Sequence, residues 1–188
     1  MIGLKRYTVR VVEHQPGWAA LAAEACADIR QAAGDLIADI QHVGSTAVPQ
    51  LPAKSILDLA AAVVTLDAIP ALVPKLTGIG YIDRGDGGDH GDYLFVKESS
   101  PDIRTIHLHV VEHNGAQWHN YLRFRDLLRC NRGVREQYAE LKRDLGKRFA
   151  DDRKSYTAAK DDFIRRILFQ PDHPLNLGVE QGRTSEDE

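Results

Sequence analysis

The chain has 188 residues, of which 43% are hydrophobic and 27% charged, with a formal net charge of −3. This is the make-up of a globular chain long enough to bury a core without staples. The weak negative charge excludes a global basic field of the kind that binds nucleic acid. Cys26 and Cys130 form neither a disulfide framework nor a metal-ligand spacing, and each reads as a small buried hydrophobe. The chain opens without a charged-then-apolar leader, and no apolar run approaches the roughly 20 residues of a spanning helix. A cytoplasmic location and no membrane partner are expected.

In chain order, Val9 to Glu13 is a β-branched run that reads as a strand and ends near Pro16-Gly17. An Ala-rich helical pattern follows from Trp18 to about Gly34, with Trp18, Leu21, Ala25 and Ile29 near one face. Leu36 to Val43 reads as a strand ending at Gly44, and Ile56 to Val64 as a second, strongly apolar strand. Asp67 suits an N-cap for a helix from Ala68 to Leu76 that stops at Gly78. Tyr81 to Asp83 reads as a short strand. The glycine-rich segment Gly85 to Asp92 lacks the ligand register of a calcium loop and reads as a flexible turn. Tyr93 to Lys97 and Ile103 to Glu112 read as strands around a Ser-Ser-Pro-Asp turn, and helices are predicted near 116–130, 133–149 and 154–169. Residues 171–188 turn to Pro, Gly, Asn and charge, and are expected to form a disordered tail. The order predicts an α+β fold: a small mixed β-sheet with helices over about 1–113 and a C-terminal helical layer over about 114–170, one domain in all.

The stretch around His42-Val43-Gly44-Ser45-Thr46 puts a turn of small residues after an apolar strand, and Asp58 stands alone as an acid inside the next. Such a turn lets backbone N–H groups approach phosphate oxygens, and a strand carboxylate can hold the metal that bridges them. Alternation puts Ile56, Asp58, Ala60 and Ala62 on one face, and His107 and His109 together with Thr105 and Val111. One surface therefore gathers Asp58, His107 and His109 with His42 at its edge, a set suited to a divalent metal.

Cations add a second clue. Arg125 sits within the stripe of Trp118, Tyr121, Leu122, Leu128 and Arg129, and Lys160 within that of Tyr156, Phe163 and Ile167. Lys142 borders the stripe of Val134, Tyr138, Leu141, Leu145 and Phe149, and Lys54 precedes the second strand. Two readings stay open for these cations: a salt bridge such as that to Asp126 or Asp161 with a solvated stem, or reception of a triphosphate.

These residues resemble the GrpB-like family of the nucleotidyltransferase superfamily. The likeness runs through His14-Gln-Pro-Gly-Trp18, His42 to Pro49, Leu51, Ala53-Lys54, Ile56-Leu57-Asp58, His107-Leu-His109, Phe124 to Arg129, Tyr138 to Lys142 and Tyr156 to Ile164, about residues 8 to 169. It implies a polymerase-β-like nucleotidyltransferase core followed by helices. Gly44, Ser45 and Thr46 would be the phosphate turn and Asp58 the first carboxylate, with Lys54, Arg125, Lys142, Tyr156 and Lys160 as further candidates for the nucleotide. The chain departs from that pattern at Ala60, where a partner carboxylate is expected, and at His107 and His109, where a third acid is expected. Gln50 and Ser55 also replace the usual Gly and Pro.

The implied function is metal-dependent transfer from a nucleoside triphosphate to an unidentified hydroxyl or amine acceptor, with His107 or His109 as general base. Magnesium or manganese is expected, zinc less so. The alternative is a catalytically degenerate module that binds a nucleotide or coenzyme A, since members of this family occur fused to dephospho-coenzyme A kinase. A zinc hydrolase built on His42, Asp58, His107 and His109 is a third reading. The sequence fixes neither acceptor nor oligomeric state.

Overall fold

Two neighbouring apolar runs build the centre of the molecule, a computed structural model that describes residues 2–86 and 92–169. The strand β5 is defined by Leu57–Val63, and its residues from Leu59 to Val63 are fully buried. A strand so apolar on both faces needs cover on both sides. In chain order the elements are β1 (Leu4–Lys5), β2 (Val11–Val12), α1 (Gly17–Ala33), β3 (Asp39–Val43), β4 (Ala53–Lys54), β5, α2 (Ile69–Gly78), β6 (Tyr81–Asp86), β7 (Tyr93–Ser100), β8 (Ile103–Glu112), α3 (Ala116–Cys130), α4 (Arg132–Arg148) and α5 (Arg153–Phe169).

The main sheet has the order β3-β5-β8-β7-β6, with β1 added to β8, and β2 pairs with β4 apart from it. Only β5 and β8 run parallel; the other neighbours are antiparallel. On one face Ile40, Leu57, Leu59, Ala61, Leu108 and Val110 pack against Trp18, Ala25 and Ile29 of α1 and Leu72 and Leu76 of α2. On the other face Val43, Ala60, Ala62 and Val111 meet Trp118 of α3. The later helices pack on one another and on the segment after the Gly-Ser turn, through Val48, Leu51, Leu128, Tyr138, Phe163 and Ile167. This is the mixed α+β arrangement expected, with its helical layer at the C-terminal side.

Several expected boundaries move for local reasons. The first expected strand contracts to β2, because its partner β4 is itself only two residues long. A short 3-10 turn over Gly34–Leu36 delays β3 to Asp39. Asp67 does not cap α2. Thr65 accepts a bond from the Asp67 amide at 3.4 Å and caps a 3-10 turn that leads into the helix. In α1 the buried stripe is Trp18, Ala22, Ala25 and Ile29, and Leu21 is left exposed. Cys130 is exposed and Cys26 half-buried, so the expected burial fails for Cys130. Residues 87–91 of the glycine-rich segment and the expected tail 171–188 lie outside the described residues. Among the described residues no helix is long and apolar enough to cross a membrane.

Leu108 lies at the centre of the sheet and is fully buried. Leu108→Ala is expected to lower the unfolding free energy by about 2–5 kcal/mol, read by urea denaturation.

Candidate functional site

The site begins at the end of β3. Gly44 has φ +67 and ψ −170, a backbone conformation that side-chain-bearing residues rarely adopt. A Cβ placed there would lie 2.5 Å from Asp58 Oδ2 and 2.8 Å from Asp58 Cβ. Glycine is therefore required twice, by conformation and by the approach of the acid. The 3-10 turn Ser45–Ala47 follows, closed by Ala47 N donating to the Gly44 carbonyl at 3.3 Å. A turn of this kind leaves its leading N–H groups, those of Ser45 and Thr46, without partners inside the turn.

Asp58 is held by registry. In the parallel pairing of β5 and β8 it stands opposite His107, with Ala60 opposite His109. The ligand atoms of Asp58, His107 and His109 lie within 4.8 Å of one another. His107 Nδ1 is 3.1 Å from Asp58 Oδ1, and His107 Nε2 is 2.9 Å from Arg153 Nη2. A guanidinium only donates, so His107 Nε2 accepts and Nδ1–H donates to Asp58. His107 is thereby fixed neutral in one tautomer with both nitrogens engaged. Burial draws its pKa down to about 4 against the pull of Asp58, and the charges of Arg153 and His109 add to the fall. For Asp58, burial is the largest single influence and opposes ionisation, but the bond from His107 and the surrounding positive field of His107, His109 and Lys54 together outweigh it. Its carboxyl lies well below the usual carboxylate range.

His109 is held differently. Its Nδ1 is 2.5 Å from Asp92 Oδ2, and Tyr121 donates its hydroxyl to the same oxygen at 3.1 Å. With Nδ1 carrying the proton toward the carboxylate, the lone pair is on Nε2. A carboxylate behind an imidazole fixes its tautomer and ring orientation.

A cavity of about 910 Å³ opens beside these groups, lined among others by Ser45, Asp58, His109, Tyr138, Lys142 and Lys160. Lys54 Nζ and Lys160 Nζ lie 5.1 and 5.0 Å from the ring centre of Tyr156, and Lys142 Nζ lies 4.7 Å from that of Tyr138. Burial, then Lys160 and Arg153, pull the Lys54 pKa down to about 7, with Asp58 opposing. Lys142 is also depressed, chiefly by burial, and its ammonium donates to the Pro52 carbonyl. Burial lowers Lys160 too, although Asp58 and Asp161 oppose it. Burial pushes the Tyr138 hydroxyl well up and the neighbouring Ser45 side chain opposes that rise, so α4 meets the turn here.

Gly44, Ser45, Thr46, Lys54, Asp58, His107, His109, Lys142, Tyr156 and Lys160 thus all line one cavity. His42 and Arg125 do not. His42 pairs with Leu59, whose side chain joins the α1 and α2 face, and its Nε2 is 2.9 Å from Thr46 Oγ1. It stands apart from the ion-binding group because β3 alternates it away from Val43. Arg125 bonds Asp126 at 2.7 and 3.0 Å, Gln41 Oε1 at 3.1 Å and the His42 carbonyl at 3.2 Å. It clasps the end of β3, as Arg129 clasps the Ala47 carbonyl at 2.8 and 3.0 Å. Sequence reasoning missed Arg153, although Arg153, Tyr156 and Lys160 follow one helical stripe once α5 is begun a residue earlier. Asp92 was hidden in a glycine-rich segment with no periodicity.

The donor set decides what ion fits. His107 has no lone pair to spare, so the free donors are the Asp58 carboxylate and His109 Nε2. Two magnesium ions about 3.5–4 Å apart need several carboxylates, and these residues do not fit such a pair. They fit one divalent ion on Asp58, completed by water and phosphate oxygens.

A family model described as GrpB, GrpB protein, matches residues 8–170. The chain is 31% identical over 171 residues to the glutamate-rich protein GrpB of Alkalihalophilus pseudofirmus, covering 89% of this chain and 98% of that protein. The crystal structure of conserved protein GrpB from Enterococcus faecalis is similar with a TM-score of 0.77 and 31% identity, over 84% of this chain and 94% of that one. The Cid1 poly(U) polymerase, in a structure with Mg 3′-dATP bound, matches with a TM-score of 0.54 and 14% identity, over 79% of this chain and 49% of Cid1. At that identity the likeness concerns the fold, which is that of the nucleotidyltransferases.

Two outcomes follow from the geometry. Gly34 also has positive φ, +59, but a Cβ there meets nothing within 4 Å. Ala is strained by about 1–3 kcal/mol at either position, so Gly44→Ala should destabilise more than Gly34→Ala in denaturant titrations by the added clash with Asp58. The second concerns pH. His107 titrates near its usual 6.5 when unfolded and near 4 when folded. Between those values the unfolded chain binds more protons, so stability falls as pH drops from 6.5 toward 4, by about 3 kcal/mol for this group. His42 is shifted in the same direction to about 4. His107→Gln should flatten, without abolishing, that limb of a pH–stability profile recorded with chelator present.

Proposed function

We propose that this chain, which belongs to the GrpB family, is a metal-dependent nucleotidyltransferase-like protein that takes a nucleoside triphosphate into the cavity beside Asp58. The observation that supports it most is the contact between the Gly-Ser turn and a lone, ionised strand carboxylate, facing three lysines across one cavity. A triphosphate needs donors for its oxygens, positive charge around them and an acid for its ion. The amides of Ser45 and Thr46 meet the first need, and Lys54, Lys142 and Lys160 the second. Asp58 meets the third. Tyr156 holds Lys54 and Lys160 in place through its ring face.

A divalent ion, magnesium or manganese, would be held by Asp58 and phosphate oxygens, and it would supply neutralisation of the phosphate charge. Because magnesium prefers oxygen, His109 keeps Nε2 for another task. In this reading His109, and not His107, is the general base. It takes the proton of the acceptor hydroxyl or amine at Nε2 as that group approaches the α-phosphorus, and Asp92 steadies the imidazolium that results. His107 and Arg153 are positioning groups that hold Asp58 ionised. Zinc would instead recruit His109 as a ligand, and metal analysis of the purified protein separates the two.

A second reading is favoured by one residue. Ala60 stands where a second carboxylate would hold a second ion, which supports a module that binds a nucleotide or coenzyme A without transfer.

Calorimetric titration of nonhydrolysable nucleotide analogues, with and without manganese, tests both. Binding should be metal-dependent, lose that dependence in Asp58→Asn and weaken roughly tenfold in Lys160→Ala. Pyrophosphate release from the hydrolysable nucleotides, lost in His109→Gln with binding retained, supports transfer. Binding without any release in the wild type selects the module, and no binding of any nucleotide overturns both.

A further inference from the structure

A second set of cations lines the same cavity, and of these the reading above uses Arg153 alone. Arg6, Arg104 and Arg153 come from three places: just after β1, early in β8 and the first turn of α5. Simple alternation would put Arg104 with Ile106 and Leu108 on the face under α1 and α2. The β7–β8 register prevents this. Lys97 pairs with Ile106 while Glu98 pairs with Arg104, so Thr105 is an extra residue on β8. A bulge of this kind re-aims the side chains around it, and Arg104 lines the cavity while only 8% exposed.

The cluster has more positive charge than its neighbours offset. Arg104 lies in the field of Arg153, Arg84 and Arg6, with Glu98 opposing. Glu98 Oε1 is 3.5 Å from Arg104 Nε and 4.0 Å from Arg84 Nη2, and Asp102 Oδ1 is 4.0 Å from Arg6 Nη1. Four guanidiniums thus face Glu98 and Asp102, and Asp58 acts on Arg153 as well, which leaves a surplus of one positive charge. Arg104 Nε is buried and faces Glu98 Oε1 at 3.5 Å without a well-formed hydrogen bond, and that carboxylate oxygen is likewise unsatisfied. So loose a pair leaves the buried guanidinium poorly compensated, and an oxyanion entering from the cavity would add compensation. A phosphomonoester carries about −1.5 to −2 at neutral pH, the sign of charge that this cluster lacks. The lysines form a separate group: Lys54 lies in the field of Lys160, Arg153 and Asp58. Arg153 is common to both groups, beside His107.

We infer that Arg104, with Arg6 and Arg153, forms a phosphate-binding site distinct from the lysine side of the cavity, and that the acceptor is a small molecule bearing a phosphomonoester. The oxyanion site stands on the arginine cluster alone; its assignment to the acceptor rests on the proposed nucleotide function.

The test is calorimetric titration of inorganic phosphate into the protein, alone and saturated with a nonhydrolysable ATP analogue and magnesium. Phosphate is expected to bind in both cases. Arg104→Gln should weaken it tenfold or more while changing the affinity for the analogue less than twofold. Glu98→Gln, which removes the competing carboxylate, should tighten phosphate several-fold, a gain that a misfolded variant cannot show. Displacement of phosphate by the analogue would assign these arginines to the donor and overturn the inference, as would phosphate binding unchanged in Arg104→Gln. If no analogue binds but phosphate does so through Arg104, the nucleotide reading falls and the oxyanion site stands.

Discussion

Asp58 sits on an inner strand with paired neighbours on both sides, and its position is set by backbone hydrogen bonding before any side-chain chemistry begins. The parallel registry of β5 with β8 puts His107 directly opposite it, and the antiparallel registry with β3 puts Val43 on its other flank. The chain must then turn at Gly44 within contact of the carboxylate. A slip of one residue in either pairing would turn Asp58 into the apolar layer under α1 and α2. The acid, the turn and the imidazole are therefore one unit, specified by the apolar pattern of β5 that drives the strand into the centre of the sheet.

Electrostatics follow from that placement. A carboxylate at this depth needs compensation, and the helices of the C-terminal layer supply it. Lys142 comes from α4, and Arg153 and Lys160 from α5, all directed back at the sheet. Their charge exceeds what Asp58 offsets. Lys54 has lost much of its affinity for a proton, since burial and two neighbouring cations act on it together. Clefts lined by one sign of charge concentrate ligands of the opposite sign. The surplus supports the proposed anionic ligand more firmly than any single residue does.

Much of this arrangement was legible in the sequence because it rests on short-period rules. Alternation along Ile56 to Ala62 and along Thr105 to Val111 put Asp58, His107 and His109 on a shared surface, and the registry bears this out. The same rule applied backwards from Gly44 would have excluded His42, since Val43 has to share the face of Asp58. Arg125 was read correctly as a cation on a half-buried stripe, but a stripe position does not say whether a side chain meets a cavity or a backbone carbonyl. Arg104 was beyond reach for a different reason. Its direction depends on a bulge, and nothing in Ile103-Arg104-Thr105-Ile106 announces the extra residue. Asp92 contributes through a contact with a residue 17 positions away, which no local pattern encodes.

The loss of a second carboxylate and the presence of Arg153 are connected. Without an acid at position 60, nothing on β5 would hold a second ion near His109, which faces Ala60 across the strands. A second ion would also meet the guanidinium of Arg153, fixed 2.9 Å from His107 Nε2. The chain thus places a covalently attached cation close to where a mobile one would be redundant. Such a cation cannot be chelated away, and it needs no acidic ligand whose desolvation would be costly. It also fixes the tautomer of His107, which in turn helps to keep Asp58 ionised. In the proposed reading the one-carboxylate site is then an alternative to the two-ion arrangement, with the guanidinium beside His107 as its fixed cation.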